Sequence, residues 1–176
     1  MSPISPEERL DVIRSNYRNA KKRIVGTRSD SFYKRYYAEG LAEIWGAFDS
    51  FLGLKFPARS NNRMRQLLCE KYQSIYSTWG WSDNCRESLK RLQQLAPVPD
   101  MSPVKPQEDA ILNDTNNLLE ILNFSYRVRS NLYHGGFILD GESLTASKNR
   151  ELVEHSLRVT FEIFGRILRN ENISVE

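Results

Sequence analysis

The chain has 176 residues, 40% hydrophobic and 27% charged, with a formal net charge of +3. This is the length and composition of one globular domain able to bury a real core, which argues against a disordered chain. No apolar run approaches the ~20 residues of a membrane span. The opening residues, Met1 to Glu8, carry prolines and acids and no export signal.

Two cysteines, Cys69 and Cys85, have no histidine near them, so they form neither a zinc pattern nor a disulfide framework. The expectation is a cytoplasmic protein with two free thiols and no membrane partner, metal or cofactor.

No internal repeat or low-complexity tract is visible, and the periodicity predicts helices throughout. Ser5-Pro6-Glu7-Glu8 is a helix start: a cap, then proline at the first position, then acids in the first turn. Leu10, Ile13, Tyr17, Ala20 and Ile24 follow at helical spacing, with Gly26 as the expected stop. Arg14, Arg18 and Lys21 make a basic stripe on this helix, and Lys22, Arg23, Arg28, Lys34 and Arg35 thicken the charge around it. Such a run is usually a solvated face; the other reading is a phosphate-contacting patch.

A second helix is predicted over Ser31 to Leu52, with Tyr37, Leu41, Ile44, Trp45, Phe48 and Phe51 on its apolar face and Gly53 to Pro57 as its break. The aromatic stripe reads as core rather than as a platform for bases. A third helix is expected over 61–77. Trp79-Gly80-Trp81 is a turn with two large anchors, and a fourth helix runs over 83–95 with Asp83 as its candidate cap.

Residues 96–107 hold four of the seven prolines and read as a surface linker. It is taken as internal to one domain spanning 1–176, because helices this amphipathic need partners from both sides of it. A fifth helix is predicted over 108–133, then a loop or short hairpin around Asp140-Gly141, then a last helix over 147–169. The architecture expected is an all-α, single-domain bundle of five to six helices.

The stretch that carries chemistry is Tyr126-Arg127-Val128-Arg129-Ser130-Asn131-Leu132-Tyr133-His134-Gly135-Gly136. Imidazole moves protons near neutral pH, and guanidinium holds phosphate and stabilises its added negative charge. Arg129 and His134 are separated by four residues, and His134 is one of only two histidines in the chain.

This stretch resembles the motif of the HEPN superfamily, an arginine followed after a short polar-led spacer by histidine. The flanks are similar to the Apea-like branch, which reads Tyr-x-Val-Arg-Asn-x-x-x-His-Gly. Ser130 stands where asparagine is common, and the asparagine comes one place later as Asn131. The resemblance covers about the last third of the chain; the rest agrees only in being helical.

The resemblance implies a HEPN-like bundle and a metal-independent endoribonuclease, with Arg129 and His134 as catalytic residues. Arg127, Ser130, Asn131 and Tyr133 are then RNA-binding or supporting residues. It further implies RNA as substrate, a cleft built across a homodimer, and a toxin or antiviral defence setting with an antitoxin or other regulatory partner. The alternative within the family is a catalytically silent domain serving dimerisation or RNA binding. A helical adaptor outside the family would be a monomer with the two residues apart.

Helical geometry raises a difficulty. At about 100° per residue, Asn116, Glu120, Asn123, Arg127 and His134 share one polar stripe, with Ser130 and Asn131 at its edges. Arg129 falls about 140° away from His134. The pair meets only if the helix loosens at Tyr133-His134, or if the long arginine stem reaches over the helix edge. A single histidine also cannot easily serve as base and acid at once, so the chemistry itself favours two copies of the site.

Overall fold

The computed structural model describes residues 4–25, 33–58, 60–101, 108–137, 139 and 143–175, with backbone alone for 33–35. Among the described residues there are six helices: α1 (Pro6–Val25), α2 (Tyr33–Lys55), α3 (Asn61–Tyr76), α4 (Asp83–Leu95), α5 (Leu118–Tyr133) and α6 (Leu144–Asn170). No helix is long and apolar enough to cross a membrane.

α6 is the hub. It packs against α1, α2, α4 and α5, while α1 lies along α2 and α3 closes on α5 and α2. Its apolar face is accordingly broad: Leu152, Val153, Leu157, Ile163, Phe164 and Leu168 are all buried. Phe48 and Phe51 of α2 meet Phe164 at 4.9 and 5.6 Å between ring centroids. Residues on both sides of the Pro-rich segment share this core, as one domain requires.

Trp45 is fully buried at the crossing of α2 and α5. Its indole N–H donates to Ser125 Oγ at 3.3 Å, and Ser125 shares a 2.6 Å hydrogen bond with Thr160 of α6. Three helices are thereby joined by a satisfied polar chain in an otherwise apolar interior.

Several boundaries differ from those read in the sequence. α2 continues through Gly53 to Lys55; the break comes at Phe56, whose backbone is restricted by Pro57. Asp83 does not cap α4: Ser82 does, its hydroxyl accepting from the Cys85 N–H. α5 starts ten residues later than predicted. Asp114 turns the chain by accepting the Asn116 N–H, and Asn117 caps the helix by accepting from Glu120.

The segment expected to be a surface linker is pinned down where it is described. Val98 is fully buried and exchanges two 2.8 Å backbone hydrogen bonds with Ala110. α6 begins at Leu144, capped by Ser143. Gly26 and Asp140-Gly141 lie outside the described residues.

Cys69 and Cys85 are buried free thiols. Burial pushes the Cys69 thiol up to about 12 and raises Cys85 as well, so both stay protonated and unreactive. His155 is structural: its Nδ1 lies 3.1 Å from the buried Ser88 Oγ, joining α6 to α4. Burial lowers its pKa below the ordinary 6.5, with Glu154 opposing and Arg158 adding to the shift.

Folding therefore favours the neutral ring. The stability this contributes is complete above pH ~6.5 and declines as pH falls toward the lowered folded value. The melting temperature is expected to drop between pH 7 and 5, and the drop should shrink in His155→Gln. An unchanged pH profile in that variant would remove His155 as its source.

Candidate functional site

α5 ends in a Schellman motif. Gly136 N–H bonds the Asn131 carbonyl at 2.9 Å, Gly135 N–H bonds Leu132 at 3.3 Å, and Gly135 has a φ of 67°. That left-handed conformation costs a residue with a side chain ~1–2 kcal/mol, so glycine is the natural occupant. His134 is the C-cap, its N–H bonded to the Ser130 carbonyl at 3.1 Å.

A cleft of about 710 Å³ opens between the ends of α3 and α5. Asn123, Tyr126, Arg127, Ser130 and His134 of α5 line one wall, and Asn61, Asn62 and Arg65 of α3 another. Asp100, Glu108 and Asp109 border it beyond. The later part of the polar stripe seen in the sequence, Asn123, Arg127, Ser130 and His134, thus faces a cavity, while its earlier part does not. Asn116 precedes α5, and Glu120 turns back to take backbone N–H groups of Asn113 and Asp114.

Arg129 lies elsewhere. Its guanidinium stands 4.4 Å from the Tyr133 ring centroid and 5.5 Å from that of Tyr126. Nη2 is 3.6 Å from Asp49 Oδ2 on α2, and the buried Nε has no hydrogen-bond partner. Burial raises the Asp49 carboxyl pKa, while Arg129 and Arg65 pull it back. Neither route expected to join Arg129 and His134 operates within one chain. The helix stays regular through Tyr133, and the arginine reaches toward α2 instead of into the cleft.

The supporting residues divide. Arg127 is on the cleft but engaged, 3.3 Å from Asp100 Oδ2 and from the Glu108 carbonyl. Ser130 lines the cleft, and Tyr133 is 62% exposed beneath Arg129. Asn131, expected at the edge of the RNA-facing stripe, is 0% exposed. Its amide donates to the Pro99 carbonyl at 2.9 Å and accepts from the Met101 N–H at 3.1 Å. It ties the 99–101 loop to α5 and offers no surface to a ligand. Asn131→Ala leaves both loop groups unpaired and is expected to cost about 1–3 kcal/mol in chemical denaturation; unchanged stability would show that water replaces the amide at no cost.

Two residues of the neighbourhood were not singled out in the sequence, yet both had a signal. Arg65 precedes Leu68, Cys69 and Tyr72 at buried-face spacing, and Asp49 follows Trp45 and Phe48 on the face of α2 that continues to Leu52. A charged side chain at an apolar-face position is the pattern to look for. Of the basic run, Arg14 is committed to Asp11 and to the Ser174 carbonyl, and Arg23 to Glu39 and Glu43, whereas Arg18, Lys21 and Lys22 are exposed. Among the described residues no three His, Cys, Asp or Glu side chains converge as metal ligands would.

Fold and site together define an all-α bundle in which one helix ends beside a polar cleft, with His134 on the cleft and Arg129 on a different face. Comparison with protein families, curated proteins and solved structures finds no match to this chain.

Proposed function

We propose that this protein is a metal-independent endoribonuclease of the HEPN kind, acting as a two-fold dimer. The observation that carries the reading is the end of α5. His134 is exposed on a polar cleft, while Arg129, one-fifth exposed, is held on the neighbouring face by Asp49 and Tyr133. One chain presents the two groups on different sides, so a second copy packed over this helix end is what would bring an arginine to each histidine. Exposed apolar side chains near this end of the molecule, Tyr133, Met101 and Leu144, suit such packing.

In the reaction, His134 of one chain removes the proton of a 2′-OH. The oxygen attacks the adjacent phosphorus while Arg129 balances the charge of the phosphorane. The bond from phosphorus to the 5′ oxygen breaks, and that oxygen takes a proton from the second chain's imidazolium. The products are a 2′,3′-cyclic phosphate and a 5′-hydroxyl. DNA has no 2′-OH and is not cut by this route.

The test is cleavage of single-stranded RNA and tRNA in EDTA, with mapping of the new ends. Cyclic phosphate ends support the reading, and 3′-hydroxyl ends reject it. A toxin or defence role, with a regulatory partner such as an antitoxin, follows from the same reading. Growth arrest on expression that is lost with His134→Ala would support it.

A second reading is favoured by one specific observation: Arg129 already has a carboxylate partner and lies off the cleft. It makes the protein a catalytically silent helical module that dimerises or binds RNA. RNA binding by the wild-type dimer without any cleavage would select it.

A further inference from the structure

We propose that the N-terminal end of α3, together with Arg65, is a phosphate site that holds a backbone phosphate of the RNA strand in the cleft shared with His134. The identity of the strand rests on the ribonuclease reading; the anion chemistry does not.

α3 is 16 residues long. Its N-cap, Ser60, spends its hydroxyl on the Arg63 N–H at 3.3 Å and its carbonyl on the Met64 N–H at 3.0 Å. Among the described residues, nothing accepts from the backbone N–H groups of Asn61 and Asn62, and both residues line the cleft. Free N–H groups and the helix dipole at such an end favour an anion.

Every helix has such an end, and Arg65 sets this one apart. The residue is only 5% exposed, and it lines the same cleft. Its Nε donates to Asn123 Oδ1 at 3.1 Å and its Nη2 to Asn62 Oδ1 at 3.4 Å, both neutral amides, while Nη1 has no partner. Beside it lies the Tyr126 ring, 4.0 Å from Cζ. Among the described residues no carboxylate is within ion-pair distance; Asp49, which pairs with Arg129, acts on Arg65 only from further away. A guanidinium this buried without a directly paired counter-ion is costly, and desolvation pulls its pKa down, with Tyr126 and the more distant Asp49 opposing the shift. An anion at the end of α3 supplies the missing charge.

The carboxylates across the cleft narrow the choice of anion. Asp100 is paired with Arg127, but Glu108 and Asp109 are exposed. They disfavour a free, multiply charged phosphate. They can instead accept hydrogen bonds from the amino and imino groups of a base. A phosphodiester carries a single charge and brings a base with it, and a cleft of about 710 Å³ has room for both.

The test uses the full chain and a labelled 2′-O-methyl single-stranded oligonucleotide, which cannot be cut through its 2′ position. Asn62→Asp places a carboxylate where the helix dipole welcomes it and next to Arg65, so the protein folds with its site filled by its own anion. Affinity is expected to fall at least about tenfold, and the slope of log K against log salt to become shallower by about 0.7, the signature of one lost phosphate contact on a single strand. Arg65→Gln should show the same losses, read beside its melting temperature.

Wild-type affinity and slope in Asn62→Asp overturn the proposal. So does a wild type stabilised by inorganic phosphate or AMP that fails to bind the oligonucleotide. Cleavage assays run in parallel separate the two claims. An oligonucleotide bound through Asn62 and Arg65 by a protein that cuts no RNA supports the phosphate site while ending the ribonuclease reading. Unchanged binding and cleavage in Asn62→Asp do the reverse.

Discussion

His134→Ala and Arg129→Ala should each lower EDTA-resistant RNA cleavage by at least about 100-fold, the scale of a lost proton-transfer group or charge stabiliser. Neither change should unfold the protein. His134 is an exposed C-cap, and surface substitutions of this kind rarely exceed ~0.5 kcal/mol. Arg129 is more embedded, and its removal takes the ion-pair partner from Asp49, whose Oδ1 is already buried without a hydrogen bond, so its melting temperature belongs beside its activity.

Mixing an inactive variant with the wild type gives the sharper result. The proposed reaction uses the imidazoles of both chains, so a dimer of one wild-type and one His134→Ala chain keeps a base or an acid but not both. The expected outcome is cleavage that falls below the share of wild-type chains as His134→Ala is exchanged in. Activity retained in both single variants would sink the assignment of the site, and activity that falls only in proportion to the wild-type chains would sink its construction across two chains.

Trp45→Ala is expected to cost about 3–5 kcal/mol, the range for removing a large aromatic from a core. For a domain of this size that corresponds to a fall of about 10 °C or more in melting temperature. The ring is fully buried, packs at 5.1 Å on Phe48 and 5.4 Å on Tyr126, and fixes Ser125 and Thr160 through its N–H. Trp45→Phe keeps most of the packing and loses the donor, so it should cost closer to ~1 kcal/mol. Equal losses in the two variants would mean that the hydrogen bond, not the ring, holds this crossing together.

The two predictions are linked through Tyr126. Its ring lies edge-on to Trp45 and within cation–π distance of both Arg65 and Arg129. Loss of the Trp45 ring therefore loosens the support of both arginines. Trp45→Ala should reduce RNA binding as well as stability, measured at a temperature where the variant is still folded.

The helices were legible in the sequence because their signals are local. Ser5-Pro6 starts α1, and the apolar recurrence of α2, from Tyr37 to Phe51, predicts the face that is buried. The misplaced boundaries share one cause. Gly53 and Asp83 carry the right propensities, but Pro57 and Ser82 stop and cap the helices instead. Residues 108–117 look helical in pattern, yet the chain there is drawn to Val98 through a backbone pairing no local window contains.

The sequence by itself determined that this is an all-α chain, where most of its helices lie, that two glycines end α5, and that a polar stripe runs down to His134. All of these follow from residue type and spacing along one strand of chain. Only the tertiary structure decided what the stripe faces, that Asn131 serves the 99–101 loop, and that Arg129 turns to Asp49 while Arg65 takes the cleft. Those outcomes depend on which side chains from distant helices arrive beside α5, and on the cost of leaving charged and polar groups buried without partners.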